Sequence, residues 1–529
     1  MSAPERLPRS PPATLPTAAV VVAGSLVFGS VGLAYPFGRD QGNYAYPAWI
    51  WLDGGMPYRD VYVFKPPGTV WVHALAQALF GHSMLAIRLL DVAWTAATAL
   101  VLADLTRRWF RSEPIAALAG IFYAFLYANV NFWSTAQTDG WMNLPALTAI
   151  LVAVRIAPLP ASPGAFVALA GAGAALGGAM CLKYTALVFA APIGLALWAS
   201  PNARLARLFA VALGGAAALG ATWLWLHLRG AMPEFLDSQL GLVPAYVGQT
   251  GRGAGLVGRI GAFVDRIARS TELQLAVAAI AAGLVPLARA RWTPTGPAAA
   301  ATALLLAGIG STFAQNKFFL YHYLTMLPGA AVFGAVGVVA AFEVVTRRSL
   351  RLGVGVSALG MIALLAASNY PKRWATLANL AAGRTTLAKH WGTREYRINQ
   401  MSVTDNLAAA DWIAHETTPD EGVFVWGFDP MVNFVAERKT VSRFLYNYPL
   451  VVAWGDPRYE SELLAALAAD PPTLFVVGSD DATPTVTGAK EDSRALLKRF
   501  TALSAFVDAR YDQVEQVTRF DIYRLRDRR

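Results

Sequence analysis

Charge is scarce in this chain. Asp, Glu, Lys and Arg make up 15% of its 529 residues, against roughly 25% in a soluble globular protein. That excludes an ordinary cytosolic enzyme, a disordered chain and a coiled coil. Cysteine is scarcer still. Cys181 stands alone, which rules out an intrachain disulfide and any Cys-cluster metal site. There is no GxGxxG and no P-loop spacing to cradle a nucleotide phosphate, and no RNA- or DNA-binding motif. Lysine is nearly missing from the first two thirds, where residues 1–369 hold only Lys65, Lys183 and Lys317.

What is plentiful is apolar. Hydrophobic residues reach 55%, with 16 Trp and a mean hydropathy of +0.41. Apolar runs fall near 17–35, 84–106, 114–131, 141–157, 165–182, 184–200, 208–226, 272–288, 296–315, 319–342 and 352–368. At roughly 20 residues per span they predict a polytopic α-helical membrane protein of about eleven helices. Alternate short loops carry Arg: Arg107, Arg108 and Arg111; Arg155; Arg204 and Arg207; Arg289 and Arg291; Arg347, Arg348 and Arg351. The positive-inside rule puts these loops in the cytoplasm, together with the N-terminus and its Arg6 and Arg9. An odd number of spans then puts the C-terminal part outside, in the periplasm if this is an inner membrane. No small-x-small cleavage site follows the first run, so it reads as an anchor and not as a signal peptide.

Charge is also uneven. Residues 370–529 hold 20 Lys and Arg against 21 Asp and Glu, leaving 24 against 13 for residues 1–369. The first part is basic and lipid-seeking, and its charge belongs to topology and anionic lipids. The second has the composition of a soluble domain. There, 402–416 reads as a helix with Ser402 or Thr404 as N-cap. GVFVWG (422–427) and PTLFVVGS (472–479) read as strands, with a short helix near 429–438 and another over 458–470. The closing YDQVEQV and FDIYRLR read as strands. Alternation of this kind predicts a small α/β domain. Gly427, after a strand, is a weak hint of a ligand loop.

Two outer loops break the membrane pattern. Residues 36–83 carry Tyr44, Tyr46, Trp49, Trp51, Tyr58 and Trp71, a density that suits helices lying in the interface. Residues 227–270 carry Arg229, Arg252, Arg259, Arg266 and Arg269 on the outer side. Long loops escape the positive-inside rule; equally, five Arg suit an anionic ligand. Asp40 directly follows the first run, and Lys65-Pro66-Pro67-Gly68 stands 25 residues later. A carboxylate facing a pocket serves as general base, and a Lys as a point charge for phosphate. A lone Asp there is more simply a solvated helix end, and a lone Lys a snorkelling one. Three Lys at outer helix ends, with Asp139 in the TAQTDGWMN loop, predict convergence beneath the outer loops. Arg88 and Asp91, three apart, are expected to pair, and Asp53 and Asp60 to cap loops. His73, His82, His227 and His322 lack paired ligand spacing, and His322 reads as structural or interfacial.

In these residues the chain resembles the GT-C membrane glycosyltransferases of the protein O-mannosyltransferase and aminoarabinose lipid A transferase superfamily. The resemblance rests on Asp40, Tyr44, Pro57-Tyr58-Arg59-Asp60 and Lys65-Pro66-Pro67-Gly68. It continues through Arg88, Asp139, CLKYTALVF (181–189) and NKFFLYHYLTMLPGAAVF (316–333), spread over residues 15–345. It implies a polyprenyl-phosphate-linked sugar donor, a lipid, glycan or protein acceptor, and inverting transfer at the outer face of the bilayer. Asp40 then matches the base, Asp139 the second carboxylate and Lys65 the phosphate contact. Lys317 and either Tyr321 or Tyr323 fall near the phosphate, with Arg252 or Arg259 completing its clamp. Tyr44, Tyr58, Lys183 and His322 fall on the substrate side. Some relatives have an acidic residue just before KPP; Phe64 stands there in this chain, which argues against a divalent metal held at that point. No cofactor is otherwise implied. The competing reading is a transporter or flippase of a lipid-linked or polar substrate. It calls for repeated halves and ionisable residues at the bilayer midplane, whereas this sequence shows no repeat and most of its charges sit at helix ends.

Overall fold

The computed structural model describes residues 13–526, apart from 199, 201, 252–254, 291, 348 and 399. Each of the eleven apolar runs is helical. Eight described helical stretches are long and apolar enough to cross a membrane: Leu15–Ala34, Met84–Phe110, Pro163–Leu182, Arg204–Leu228, Thr271–Arg289, Pro297–Gln315, Leu320–Thr346 and Leu350–Ala367. The other three runs form the shorter helices Glu113–Ala128, Asn143–Ile156 and Tyr184–Trp198. This is a multi-pass membrane protein.

Several bundle helices start on a side-chain cap. Ser112 accepts from Ile115 N at 3.4 Å and Ser162 from Ala165 N at 3.2 Å, each followed by Pro in the first turn. The hydroxyl satisfies one orphan N–H, and proline needs no partner for its own nitrogen. Pro297–Gln315 ends on Asn316 at φ 58°, a left-handed cap that turns the chain toward Lys317. Two apolar helices open on 3₁₀ turns, Tyr184–Phe189 and Leu320–Met326. They follow Lys183 and Lys317.

The chain packs as two compact units. One comprises Met1–Leu33, Arg88–Trp223 and Gly253–Ala378, and the other Ala34–Ile87, Leu224–Arg252 and Asn379–Arg529. The first is the helical bundle. The second joins the aromatic outer segment and the start of the second outer loop to the C-terminal residues. The aromatic segment forms two helices, Arg39–Leu52 and Gly68–Phe80. The second loop is helical too, over Met232–Leu236, a π-helical turn Asp237–Leu242, Val243–Gly251 and, in the first unit, Leu256–Ala268.

The C-terminal part is the α/β domain that its alternation predicts. Strand Val423–Trp426 pairs parallel with Leu474–Gly478. That strand pairs antiparallel with Phe520–Leu525, which closes a hairpin with Tyr511–Val517. Ser402 caps helix Val403–Glu416 by accepting from Asp405 N at 3.3 Å. Val423, Val425, Leu474, Val476, Phe520 and Ile522 form a core against Ala409, Ala410 and Ile413 of that helix.

Helix packing in the bundle depends on small residues. A Cβ on Gly214 would stand 1.8 Å from the Ala170 carbonyl oxygen, and one on Gly173 would stand 1.9 Å from that of Val211. The two glycines let Pro163–Leu182 and Arg204–Leu228 touch backbone to backbone. Gly214→Ala should therefore lower the thermal midpoint in detergent, by an overpacking cost of about 1–3 kcal/mol. Gly220→Ala lies on the same helix over open space and should be neutral or slightly stabilising. Fluorescence-detected melting of the two variants checks the contrast; equal midpoints would refute it.

Candidate functional site

In the helical bundle, chemistry gathers on Asp139. This carboxylate is fully buried in the one-turn helix Thr138–Trp141. Its Oδ2 lies 3.1 Å from Lys183 Nζ, and its Oδ1 accepts from Gln315 Nε2 at 2.6 Å. A bare charge in such a place is costly, so the partners are what permit it. Lys183 directly follows Pro163–Leu182, and Gln315 ends Pro297–Gln315. Two helix ends therefore close on one short loop helix.

That loop is held from below. Arg88 donates to Thr135 Oγ1 and to the Phe132 carbonyl, both at 3.0 Å. Asp91 Oδ1 accepts from Tyr127 Oη at 2.6 Å and from Trp141 Nε1 at 2.8 Å. Arg88 and Asp91, expected to pair, each also reach the loop, whose turn exposes groups that need partners. Tyr127 Oη also accepts from Ala136 N at 3.2 Å, where the backbone turns through φ 52°. A Cβ at Gly140 would lie 2.5 Å from the Tyr127 ring, so only glycine fits beside Asp139.

Tyr321 and Tyr323 part company. Lys183 Nζ sits 5.8 Å from the Tyr321 ring centre. Tyr323 is fully buried, stacks on Phe263 at 5.0 Å and donates to its carbonyl at 2.9 Å. His322 packs edge-on to Tyr321 at 4.7 Å. Arg259 donates to the Phe313 carbonyl, in the last turn of the helix that leads to Lys317. Lys317 lies between two spans, and burial lowers its ammonium to about 8. Arg252 lies outside the described residues.

In the second unit, Asp40 occupies the first turn of Arg39–Leu52, where the helix dipole favours a carboxylate. It is half-buried. Gln41 caps the same turn by accepting from Gly38 N at 2.9 Å. Burial, and behind it the Asp40 carboxylate, push the Tyr246 phenol well above its ordinary value. Tyr246 in turn meets the Phe64 ring at 5.2 Å, one residue before the KPPG segment. Tyr44 is buried beside His73 at 5.7 Å.

The backbone before KPPG is pinned at three consecutive carbonyls. Val63 O accepts from Ser238 Oγ at 2.7 Å, Phe64 O from Gln239 Nε2 at 3.3 Å, and Lys65 O from Tyr58 Oη at 2.6 Å. Ser238 and Gln239 come from the π-helical turn, a geometry often found at functional sites. Tyr58, placed by sequence on the substrate side, is itself buried against Phe235 at φ 74°, with its hydroxyl turned to Lys65. Gln315, Ser238, Gln239 and Tyr246 have no motif to betray them. Gln315 alone left a trace, as a polar residue closing an apolar run. Among the described residues no group of three or more His, Cys, Asp or Glu is placed to hold a metal ion.

Lys183→Met should strand the Asp139 carboxylate and destabilise the bundle by about 3–5 kcal/mol. Adding Asp139→Asn should restore most of the melting temperature, because the unpaired charge is gone. Thermal melts of the single and double variants check this; a double variant no more stable than Lys183→Met would show that the pair contributes packing and not charge balance.

Similarity to known proteins falls on the same stretch of chain. Residues 64–226 match the family model described as dolichyl-phosphate-mannose-protein mannosyltransferase. The match opens at Phe64 and includes Lys65, Arg88, Asp139 and Lys183; Asp40 precedes it. No curated protein matches by sequence. Among solved structures, ArnT from Cupriavidus metallidurans bound to undecaprenyl phosphate has a TM-score of 0.57 at 16% identity, covering 96% of this chain and 97% of that one. Its apo state gives 0.55 at 18% identity, with the same coverage. An oligosaccharyltransferase from Archaeoglobus fulgidus is more distant, at 0.48 and 14% identity over 90% of this chain and 70% of that one. The chain has the GT-C fold of ArnT, and the stretch holding Lys65, Arg88, Asp139 and Lys183 carries the sequence pattern of the dolichyl-phosphate-mannose-protein mannosyltransferases.

Proposed function

We propose that this protein is an inverting glycosyltransferase that moves a sugar from a polyprenyl phosphate to an acceptor hydroxyl of a lipid, glycan or protein. The observation that carries the reading is the pinned KPPG segment at the very start of the family match. A cation held at a fixed point is what a departing phosphate requires. The ArnT structure with undecaprenyl phosphate supports a lipid carrier of that type for this chain as well.

The chemistry needs few groups. Asp40 takes the proton from the acceptor hydroxyl. The acceptor oxygen attacks the anomeric carbon from the face opposite the phosphate, and the bond between that carbon and the phosphate oxygen breaks. The lipid phosphate leaves with the electron pair, and Lys65 meets its growing charge. Asp139, held by Lys183 and Gln315, serves as the second carboxylate of the sugar-handling residues. Tyr321, beside Lys183, is the better candidate of the two tyrosines, because Tyr323 is committed to Phe263. Arg259 and Lys317 add positive charge at one helix end. The Arg-bearing loops support a cytoplasmic N-terminus, an outward C-terminal domain and residence in the inner membrane.

Purified protein given a panel of undecaprenyl-phosphate sugars should release undecaprenyl phosphate. Asp40→Asn keeps shape and removes basicity, so turnover should fall roughly 10²–10⁴-fold; near-normal turnover in a folded variant would eliminate Asp40 as the base. Lys65→Ala should lower kcat and raise KM for the lipid, and Lys65→Arg should rescue only in part, since a planar fork does not replace a compact charge.

Lys317 gives a pH signature. Its ammonium is charged below about 8 and neutral above it. KM for the lipid donor should therefore rise as pH passes upward through about 8. Lys317→Arg, which stays charged throughout, should flatten that rise; an unchanged pH profile of KM would remove Lys317 from the phosphate contacts.

A further inference from the structure

A cation in the first turn of a helix stands at the wrong end of the dipole. Arg39 is in that position, one residue before Asp40, and it is buried. It needs an anion, and the C-terminal domain supplies one. Arg39 Nε lies 3.7 Å from Asp429 Oδ1, with both side chains almost wholly enclosed, at 3% and 0% exposure. Asp429 sits just beyond strand Val423–Trp426. Its other oxygen meets Arg519 at 2.7 Å, and Asn406 donates to Oδ1 at 3.2 Å. Arg519 comes from the turn of the last hairpin and is itself fixed, donating to the carbonyls of Ser479 at 3.1 Å and Gln400 at 3.2 Å. Burial pushes Asp429 up, but the Arg519 and Arg39 guanidinium groups outweigh it and hold the carboxyl below its ordinary range.

Arg39 opens a stripe. Residues 39, 42, 43 and 46 fall on one helix face, at the spacing i, i+3, i+4, i+7. Each of them meets the C-terminal domain. Gly42 approaches so closely that a Cβ would stand 2.9 Å from Met431 N. Asn43 donates to Tyr446 Oη at 3.1 Å. Tyr46 Oη accepts from Thr440 N at 2.8 Å. Such a face fixes both the rotation of the helix about its axis and its height. Asp40 lies one residue off the stripe, so its direction is set by the same contacts.

We propose that Asp429, clamped by Arg519, acts through Arg39 as a positioning residue for Asp40, so that the α/β domain sets the aim of the base. The inference rests on the reading of Asp40 as that base. Buried ion pairs seldom stabilise more than well-packed apolar residues would. Here the pair's contribution is orientation, and a displacement of about 1 Å at a reacting group costs on the order of 10²-fold in rate.

The test uses the full-length protein and the undecaprenyl-phosphate sugar that it turns over fastest. Asp429→Asn should lower kcat about 10²-fold while KM for the donor stays within about threefold. Since that variant strands two buried guanidinium groups, the deciding variant is Arg39→Met/Asp429→Leu, which removes both members of the pair. It leaves only Arg519 without its carboxylate, so it should melt above Asp429→Asn though below the wild type, and still show the lowered kcat. Recovery of wild-type kcat in the folded double variant would overturn the proposal. If the double variant does not fold, Arg519→Lys decides, because it keeps the charge and loses the fork: a lowered kcat at unchanged KM supports positioning, and unchanged kcat overturns it. Lys439→Met breaks the exposed pair between Asp53 and Lys439, at the other end of the same helix, and should leave kcat intact. Asp40→Asn run alongside separates the two ideas. If it retains turnover, the base assignment has failed; if it is inactive while the double variant is fully active, only the positioning has failed.

Discussion

A carboxylate sealed inside a bundle of apolar helices has to be matched by a cation, and in this protein Asp139 is matched by Lys183 and by the Gln315 amide. That constraint organises the bundle around it. Lys183 is delivered by the end of one span and Gln315 by the end of another, so the two helices must finish at the same depth. The loop that carries Asp139 is then secured by Arg88, Asp91 and Tyr127, all from helices that precede it in the chain. The desolvation cost of one buried charge is met by groups from several separate segments, and each of those segments loses freedom as a result.

The second unit obeys the same logic with different parts. Its buried ions are Arg39, Asp429 and Arg519, and its pinned backbone is the run of carbonyls at Val63, Phe64 and Lys65. Proline at 66 and 67 stiffens the entry into helix Gly68–Phe80. The long side chains it uses, Arg39 and Arg519, are themselves buried and held by Asp429. The supports in this unit are buried polar bonds, which are costly to leave half-made.

Much of this was legible in the sequence, and the reasons it was legible are physical. Apolar runs of span length mark helices whatever their neighbours, because lipid demands an internally satisfied backbone. The strands over 422–427 and 472–479 show because buried parallel strands read as unbroken β-branched and aromatic runs. Ser402 shows as a cap because a hydroxyl before a helix has one obvious partner. The lysines stand out through scarcity alone. The meeting of Lys183 with Asp139 was foreshadowed by the scarcity of Lys, but most other relations between distant segments stayed hidden. Arg39 looks like a basic residue at a membrane surface until Asp429 is placed beside it, from the far end of the chain. Ser238 and Gln239 are ordinary loop polar residues until their bonds to Val63 and Phe64 are seen. Arg88 and Asp91 show in the sequence as a local pair, while their bonds to the loop over 132–141 do not.

The 3₁₀ turn Leu320–Met326 sits at the head of a long helix, Leu327–Thr346, of 20 residues. At 1.5 Å per residue that helix is about 30 Å long, which is already the thickness of the hydrocarbon layer. The tighter turn adds roughly 2.0 Å per residue beyond it. The whole stretch Leu320–Thr346 is therefore longer than that layer requires of an upright helix. Pro163–Leu182 has the same 20-residue length and ends on Lys183. The two helices end side by side, since Lys183 Nζ lies 5.8 Å from the centre of the Tyr321 ring in that 3₁₀ turn, so a shift of either helix along its axis would part the ammonium from the ring.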